Sequence, residues 1–156
     1  MTYAGFWKRF AAYLIDSIIL GVASWIIIIP ILGLIGLGAS SMEYSEDMMT
    51  DEAAGGLAAA IIGASMMLWL VIGGASWLYF ALMESSSKQA TVGKMALGII
   101  VTDLNGNRLS FGRATGRYFG KILSGMILMI GYIMAGFTEK KQALHDMIAG
   151  CLVIKK

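Results

Sequence analysis

The sequence predicts an all-α membrane protein with two long transmembrane helices, a third membrane-embedded segment that is either spanning or re-entrant, and a small cytoplasmic β element. The 156 residues are 58% hydrophobic and only 14% charged, which is more apolar than a soluble domain. Charged residues are absent from three long runs, residues 17–42, 53–83 and 122–138. Because a helix needs about 20 apolar residues to cross a bilayer, the first two runs are long enough and the third is marginal.

The composition excludes several other classes of protein. Disordered chains have low hydrophobicity, and nucleic-acid-binding proteins carry a larger basic excess than the net charge of +2 found here. Cys151 is the one cysteine and His145 the one histidine, so a disulfide framework, a Cys/His metal cluster and a complete His-based triad are all excluded. His145 and its neighbour Asp146 are not expected to face each other on a helix. We therefore expect no enzyme activity, no cofactor, no metal and no nucleic-acid partner.

The uncharged runs organise residues 1–156 into one membrane domain. The first transmembrane helix is expected at residues 6–38 and the second at 53–83. They are joined by a loop at 39–52 whose charged residues are all acidic. Basic residues instead lie at the start of the first helix and after the second. The positive-inside rule therefore places the N-terminus in the cytoplasm and the acidic loop outside.

A basic cytoplasmic segment at residues 84–117 follows the second helix. Within it, Leu97–Asp103 is typical of a short strand, and Leu104–Asn107 is typical of a turn. Ser110 is well placed to cap a helix that leads into the third membrane segment, expected at 118–138.

The third membrane segment has two alternative topologies. If it crosses the bilayer, the basic tail at residues 139–156 lies outside, against the charge rule. If it re-enters and returns, the tail stays inside, and Cys151–Ile154 is able to pair with a strand at Ile99–Val101. We favour the re-entrant form, for which three glycines permit a break: Gly125, Gly131 and Gly136. Non-helical backbone at membrane depth then requires cover from the first two helices or from a second copy.

Asp16 is the main functional candidate, because an acidic side chain at the centre of a membrane helix costs about 2.5 to 3.5 kcal/mol to insert. Arg9 lies two turns earlier on the same face, with Tyr13 between them, but helical geometry keeps the two charged groups apart. Asp16 is therefore expected to find its partner on another element. Either a Lys or Arg forms a structural ion pair with it, or Asp16 acts as a proton or cation relay.

Two interleaved stripes run along the helix expected after Ser110. One consists of small residues that permit close helix packing, namely Gly112, Gly116, Gly120 and Ser124. The other is basic and consists of Arg113, Arg117 and Lys121. The basic stripe is suited to binding lipid phosphates or the carboxylates of Asp16 and Asp146, or it is an ordinary anchor at the cytoplasmic membrane surface.

The tail motif Leu144-His145-Asp146-Met-Ile-Ala-Gly150, together with the first helix, resembles the RDD family of bacterial membrane proteins. That family is named for one arginine and two aspartates, which Arg9, Asp16 and Asp146 match by position. The segment Gln89-Ala-Thr-Val-Gly-Lys94 matches as well, so the resemblance covers nearly the whole chain. At Cys151 the family tail more often has a threonine.

The resemblance implies a multi-pass protein of the bacterial cytoplasmic (inner) membrane, in a family for which ligand transport and cation/proton antiport have been suggested. One hypothesis is transport of a cation or small ligand by Asp16 in a homo-oligomer, since two or three segments do not enclose a pathway. The alternative is a scaffold that binds lipids or a partner protein and whose Arg and Asp residues are structural ion pairs. The supporting residues in either case are Tyr13, Lys94, Arg113, Arg117, Lys121 and His145.

Overall fold

The computed structural model describes residues 1–41, 51–127 and 129–156, which contain six helices and two strands. In chain order these are α1 (Phe6–Ser41), α2 (Asp51–Ser85), α3 (Val92–Ala96), β1 (Ile99–Asp103), α4 (Phe111–Met126), α5 (Ile130–Phe137), α6 (Leu144–Ile148) and β2 (Cys151–Lys155). The predicted fold class, a helical membrane protein with a small sheet, is confirmed.

Two of the described helices are long and apolar enough to cross a membrane. The candidate spans are Phe6–Leu34 within α1 and Ala58–Ser85 within α2. Large apolar side chains on them, such as Trp25 and Leu70, are exposed. A helix that is apolar on every face needs lipid or protein around it, as the sequence predicted. Most of the acidic loop expected at 39–52 lies outside the described residues.

The described residues form two compact units. The first combines Met1–Ile19 with Ser76–Lys156 and contains the sheet and helices α3 to α6. The second is Leu20–Ala75 and contains the most uniformly apolar parts of α1 and α2. All of the buried charged residues discussed below belong to the first unit.

The small sheet joins three distant parts of the first unit. β1 and β2 are antiparallel, with Val101 opposite Val153. The N-terminus runs along the other side of β2, where the Ala4 amide donates to the Val153 carbonyl at 2.8 Å and the Lys155 amide donates to the Thr2 carbonyl at 2.8 Å. The predicted pairing of the two strands is therefore confirmed, and the strands that precede and follow α4 and α5 lie side by side.

Helices α4 and α5 form a bent pair with an angle of 102° between them. Gly131 permits the close contact, because a Cβ atom at this position would lie 2.7 Å from the Cβ of Ser124. The Tyr132 hydroxyl donates to the Lys121 carbonyl at 2.9 Å and ties α5 back to α4. The sequence predicted a break in this segment, and the structure places the break between α4 and α5.

The small-residue stripe on α4 packs closely over only half of its length. The helix starts at the predicted cap, where the Ser110 hydroxyl accepts a hydrogen bond from the third helical amide at 3.4 Å. A Cβ at Gly120 would lie 3.1 Å from the Cβ of His145, so α6 approaches α4 closely there. Gly112 and Gly116 have open space around the same position. The packing role predicted for the stripe therefore applies to its C-terminal half.

Candidate functional site

Asp146 is a fully buried carboxylate that binds two arginines. Its Oδ2 accepts hydrogen bonds from Arg9 Nη1 and from the Ala143 amide, the latter at 3.1 Å. Its Oδ1 accepts from Arg117 Nε at 2.8 Å. Burial by itself raises the pKa of Asp146, but Arg117 and Arg9 together hold that pKa well below its ordinary range. Asp146 is therefore ionised and links α1, α4 and α6.

Glu84 is a second buried carboxylate, and sequence reasoning missed it. Its Oε1 accepts from Lys94 Nζ and, at 2.7 Å, from Arg117 Nη1, while Lys121 Nζ lies 3.6 Å away. Arg117 therefore bridges both carboxylates. In the sequence Glu84 directly follows the uncharged run 53–83 and looks like a solvated residue at a helix end. Its position as an acid beside a strongly basic segment is the signal that could have identified it.

Lys94 is buried against Glu84 at the end of α2. Burial lowers the pKa of Lys94 to about 7, although the negative charge of Glu84 opposes the shift. The positive charges of Arg117 and Lys121 lower this pKa further. Lys94 is therefore able to gain or lose a proton near neutral pH.

Asp16 is 1% exposed and is bound by three neutral donors. Its Oδ1 accepts from the Tyr79 hydroxyl and from the Gly93 amide, each at 2.8 Å, and its Oδ2 accepts from the Thr91 hydroxyl at 2.5 Å. The expected partner on another element is confirmed. However, no ion pair joins Asp16 to a Lys or Arg within the described ranges, so the ion-pair form of the structural hypothesis is wrong for this residue.

Gly93 explains how α3 reaches Asp16. A Cβ atom at this position would lie 2.2 Å from the Ala12 carbonyl oxygen and 3.0 Å from Asp16 Cγ. Only a residue without a side chain lets the α3 backbone approach α1 this closely. The Gln89–Lys94 segment thus provides two of the donors to Asp16, Thr91 and Gly93. Its last residue, Lys94, forms an ion pair with Glu84.

His145 is neutral, because burial lowers its pKa to about 3. The Ser124 hydroxyl donates to the Gly120 carbonyl at 2.9 Å, and its oxygen lies 3.2 Å from His145 Nδ1. Its Nε2 lies 3.6 Å from Asp146 Oδ1. The expectation that His145 and Asp146 do not face each other is wrong, because Asp146 folds back to the Ala143 amide at the start of α6.

A cavity of about 230 Å³ lies within the first unit beside these groups. The charged residues that line it are Arg9, Asp16, Lys94, Arg117 and Lys121. Much of the remaining wall is aromatic or aliphatic and includes Phe10, Tyr13, Met129 and Ile133. Four cationic side chains therefore face the cavity together with one carboxylate.

The other predicted residues occupy different places. Tyr13 forms part of the cavity wall, whereas Arg113 is not among the lining residues and lies beside Gly150. The Cys151 thiol contacts Asp146 Oδ1 at 3.7 Å, a position from which a threonine hydroxyl would also donate. The structure thus brings all but one of the predicted charged site residues into a single neighbourhood.

The sequence profile of the RDD family matches residues 3–150. The chain belongs to the RDD family. The uncharacterized protein YxaI of Bacillus subtilis is 42% identical to it over 98% of this chain and 97% of that protein. The uncharacterized membrane protein YteJ of the same bacterium is 28% identical over 97% of this chain and 80% of that protein. No solved structure matches the chain.

In this RDD-family protein the three residues that correspond to the family name have different partners. Arg9 and Asp146 bind each other directly, while Asp16 is bound by hydroxyl and amide groups on α2 and beside α3. Arg9 and Asp16 nevertheless line the same cavity.

Proposed function

We propose that this RDD-family membrane protein binds a small anionic ligand in its cation-lined cavity and transports it as a homo-oligomer. The proposal rests on an excess of positive charge among the buried and half-buried side chains around the cavity. The cations are Arg9, Lys94, Arg117 and Lys121, and the carboxylates are Asp16, Glu84 and Asp146. One cation is therefore left without a balancing carboxylate.

An unbalanced buried charge is unfavourable, because the protein interior solvates it poorly. Loss of a proton from Lys94 relieves the excess near neutral pH, and an anion in the cavity would relieve it with Lys94 still charged. The empty cavity therefore favours neutral Lys94, and the occupied cavity favours protonated Lys94. This difference gives anion binding a direct electrostatic driving force.

A bound cation has less support than a bound anion. The two oxygens of Asp16 already accept three hydrogen bonds, and four cationic side chains face the same cavity. Residues 1–41, 51–127 and 129–156 contain no group of three His, Cys, Asp or Glu side chains that would hold a metal ion. Of a cation and an anion, the anion therefore has more support as the ligand.

Transport requires more than one copy, since two spans and a bent helix pair do not enclose a path. The charge rule places α3, the sheet and the cavity toward the cytoplasmic side of the bilayer. Binding and movement of a ligand are sufficient for this role, and no catalytic step is part of the proposal.

A scaffold that binds lipid or protein without transport is the second candidate function. It is supported by the completeness of the ion network. Within the described parts of the chain, every fully buried side-chain nitrogen and oxygen has a hydrogen-bond partner. Such a network is able to fix the packing of α1, α4 and α6 without any ligand.

Thermal unfolding of the purified protein in detergent distinguishes these functions. At equal ionic strength, phosphate or acetate should raise the melting temperature, since a ligand at 100 times its Kd stabilises by about 2.7 kcal/mol. Lys121→Met should lose the effect, and Lys88→Met, which changes an exposed lysine outside the cavity, should retain it. Uptake of the stabilising anion into vesicles containing the protein then tests transport. Equal melting temperatures in all salts would favour the scaffold.

A further inference from the structure

We infer that the ligand is an anionic amphiphile whose singly charged head enters the cavity beside Lys121 while its acyl chain extends between α1 and α5 into the bilayer. The inference rests on the proposed anion site and specifies the class of molecule that occupies it. It follows from the burial of the cavity wall, the loose bonding of Lys121, and the volume and charge of the site.

The cavity has a charged base and an apolar mouth. At the base, Lys94 is 6% exposed and Arg117 is 2% exposed. At the mouth, Phe10 on α1 is 41% exposed and Ile133 on α5 is 45% exposed. Phe10 belongs to a candidate membrane span and Ile133 to the bent helix pair, which is either a broken span or a re-entrant segment. The mouth therefore opens among exposed apolar side chains of segments that are apolar enough for a bilayer.

Of the four cations that line the cavity, Lys121 makes the longest contact with a carboxylate. Its Nζ lies 3.6 Å from Glu84 Oε1, whereas Arg117 Nη1 is 2.7 Å from the same oxygen. The Lys121 ammonium also lies 4.0 Å from the centroid of the Phe80 ring, within the cavity wall. An anionic head is therefore able to bind Lys121 without breaking the short bonds of Arg117.

The volume of the cavity favours a ligand that is only partly enclosed. At about 230 Å³ it is smaller than the roughly 300 to 1,000 Å³ of pockets that surround a whole ligand. It accommodates a head and the beginning of a chain, and the rest of the chain must continue past Phe10 and Ile133. A small water-soluble anion would leave this aromatic and aliphatic wall without a contact.

The charge of the site favours a head with a single negative charge. Four cations against three carboxylates leave one positive charge to be balanced. A fatty acid carboxylate and the phosphodiester of a lysophosphatidylglycerol each carry one negative charge, and both bring an acyl chain. A phosphocholine head carries a cation of its own and does not balance the site.

Equilibrium binding of radiolabelled palmitoyl lysophosphatidylglycerol to the purified protein in detergent tests the inference. We expect saturable binding that palmitate displaces and that palmitoyl lysophosphatidylcholine does not. Lys121→Met should weaken binding about tenfold, which corresponds to about 1.4 kcal/mol. Lys121→Arg, which keeps the charge, should bind more tightly than Lys121→Met, and the exposed control Lys88→Met should bind as the wild type does. The two comparisons separate loss of charge from loss of folding.

The competitors separate failure of the inference from failure of the proposed function. If inorganic phosphate displaces the label as effectively as palmitate does, the acyl chain contributes nothing, and the inference fails while the anion site stands. If lysophosphatidylcholine competes equally, or if Lys121→Met binds as tightly as the wild type, the head charge is not recognised at this site. In that case the inference and the proposed anion site both fail.

Discussion

Arg117 holds the ion network together because its guanidinium donates from two different nitrogens to two buried carboxylates. Nε binds Asp146 on α6, and Nη1 binds Glu84 on α2. A lysine at this position has a single nitrogen and does not reproduce the planar arrangement of donors. One side chain on α4 therefore fixes the positions of two other helices, and Arg9 adds α1 through the same aspartate.

Asp146→Asn should strongly destabilise the protein. The amide removes the charge between Arg9 and Arg117, which leaves Arg9 without its carboxylate partner and Arg117 with Glu84 alone. Loss of one partner of a buried pair costs about 3 to 5 kcal/mol. Thermal or denaturant unfolding in detergent measures the change, with Glu139→Gln at an exposed acid as the matched control. Equal stability of the two variants would show that the network does not support the fold.

Lys94 should make anion binding depend on pH. Burial lowers its pKa to about 7, and a bound anion favours the protonated form. Above this pKa, binding must take up a proton, so affinity should fall as pH rises, by at most about tenfold per pH unit. The Kd of lysophosphatidylglycerol, whose phosphodiester does not titrate near neutral pH, measures the slope. Lys94→Met should remove the dependence, and a wild-type Kd that does not change with pH would contradict the linkage.

The sheet joins the two ends of the chain segment that contains α4 and α5. β1 precedes this pair in the chain and β2 follows it, yet the two strands are hydrogen bonded along their length. The N-terminal residues Thr2 and Ala4 bond to β2 as well. The chain therefore enters and leaves the pair through one sheet, as the predicted re-entrant form requires.

Labelling of introduced cysteines tests this topology. Cys151 itself is a poor reporter, because it is buried and burial raises the pKa of its thiol to about 12. In a Cys151→Ala background, Asn105→Cys beside β1 and Lys156→Cys after β2 should both resist a membrane-impermeant thiol reagent in intact spheroplasts. Both should react after lysis. Labelling of only one of the two in spheroplasts would show that α4 and α5 cross the membrane.

The contact between α1 and α3 should depend on the absence of a side chain at Gly93. Gly93→Ala places a methyl group 2.2 Å from the Ala12 carbonyl oxygen, so α3 must move away from Asp16 and lose the amide bond to it. We expect a clear loss of thermal stability. Gly112→Ala has open space on α4 and should be neutral or stabilise by up to about 1 kcal/mol. Equal stability of the two variants would contradict the close contact.

The sequence predicted the elements that depend on local pattern. Uncharged runs located α1 and α2, and the segment Leu97–Asp103 located a strand whose partner was also recognised. The ion network was less predictable, because it depends on contacts between residues far apart in the chain. Glu84 was not singled out from the basic segment 84–117, and for Asp16 an ion pair and a relay role both stayed open. The donors Thr91 and Gly93 are far from Asp16 in the sequence. They reach it because Gly93 lets α3 pack closely against α1.

In the molecule as a whole, the apolar and the charged residues occupy different regions and have different roles. The apolar spans of α1 and α2 fix the protein in lipid, and the first unit gathers nearly all of the predicted charged site residues around one cavity. The cavity mouth at Phe10 and Ile133 belongs to the apolar part, and its base at Lys94 and Lys121 belongs to the charged part. An anionic amphiphile has the same division between chain and head, which is why it matches the site.

The most direct test is photo-crosslinking of the purified protein with a lysophosphatidylglycerol that carries a diazirine on its acyl chain near the head. Mass spectrometry then identifies the modified residues. We expect crosslinks concentrated at Phe10, Tyr13, Met129 and Ile133, and their loss when excess unlabelled lysophosphatidylglycerol is present. Crosslinks spread evenly over exposed residues such as Trp25 and Leu70, with no competition by the unlabelled lipid, would contradict this expectation.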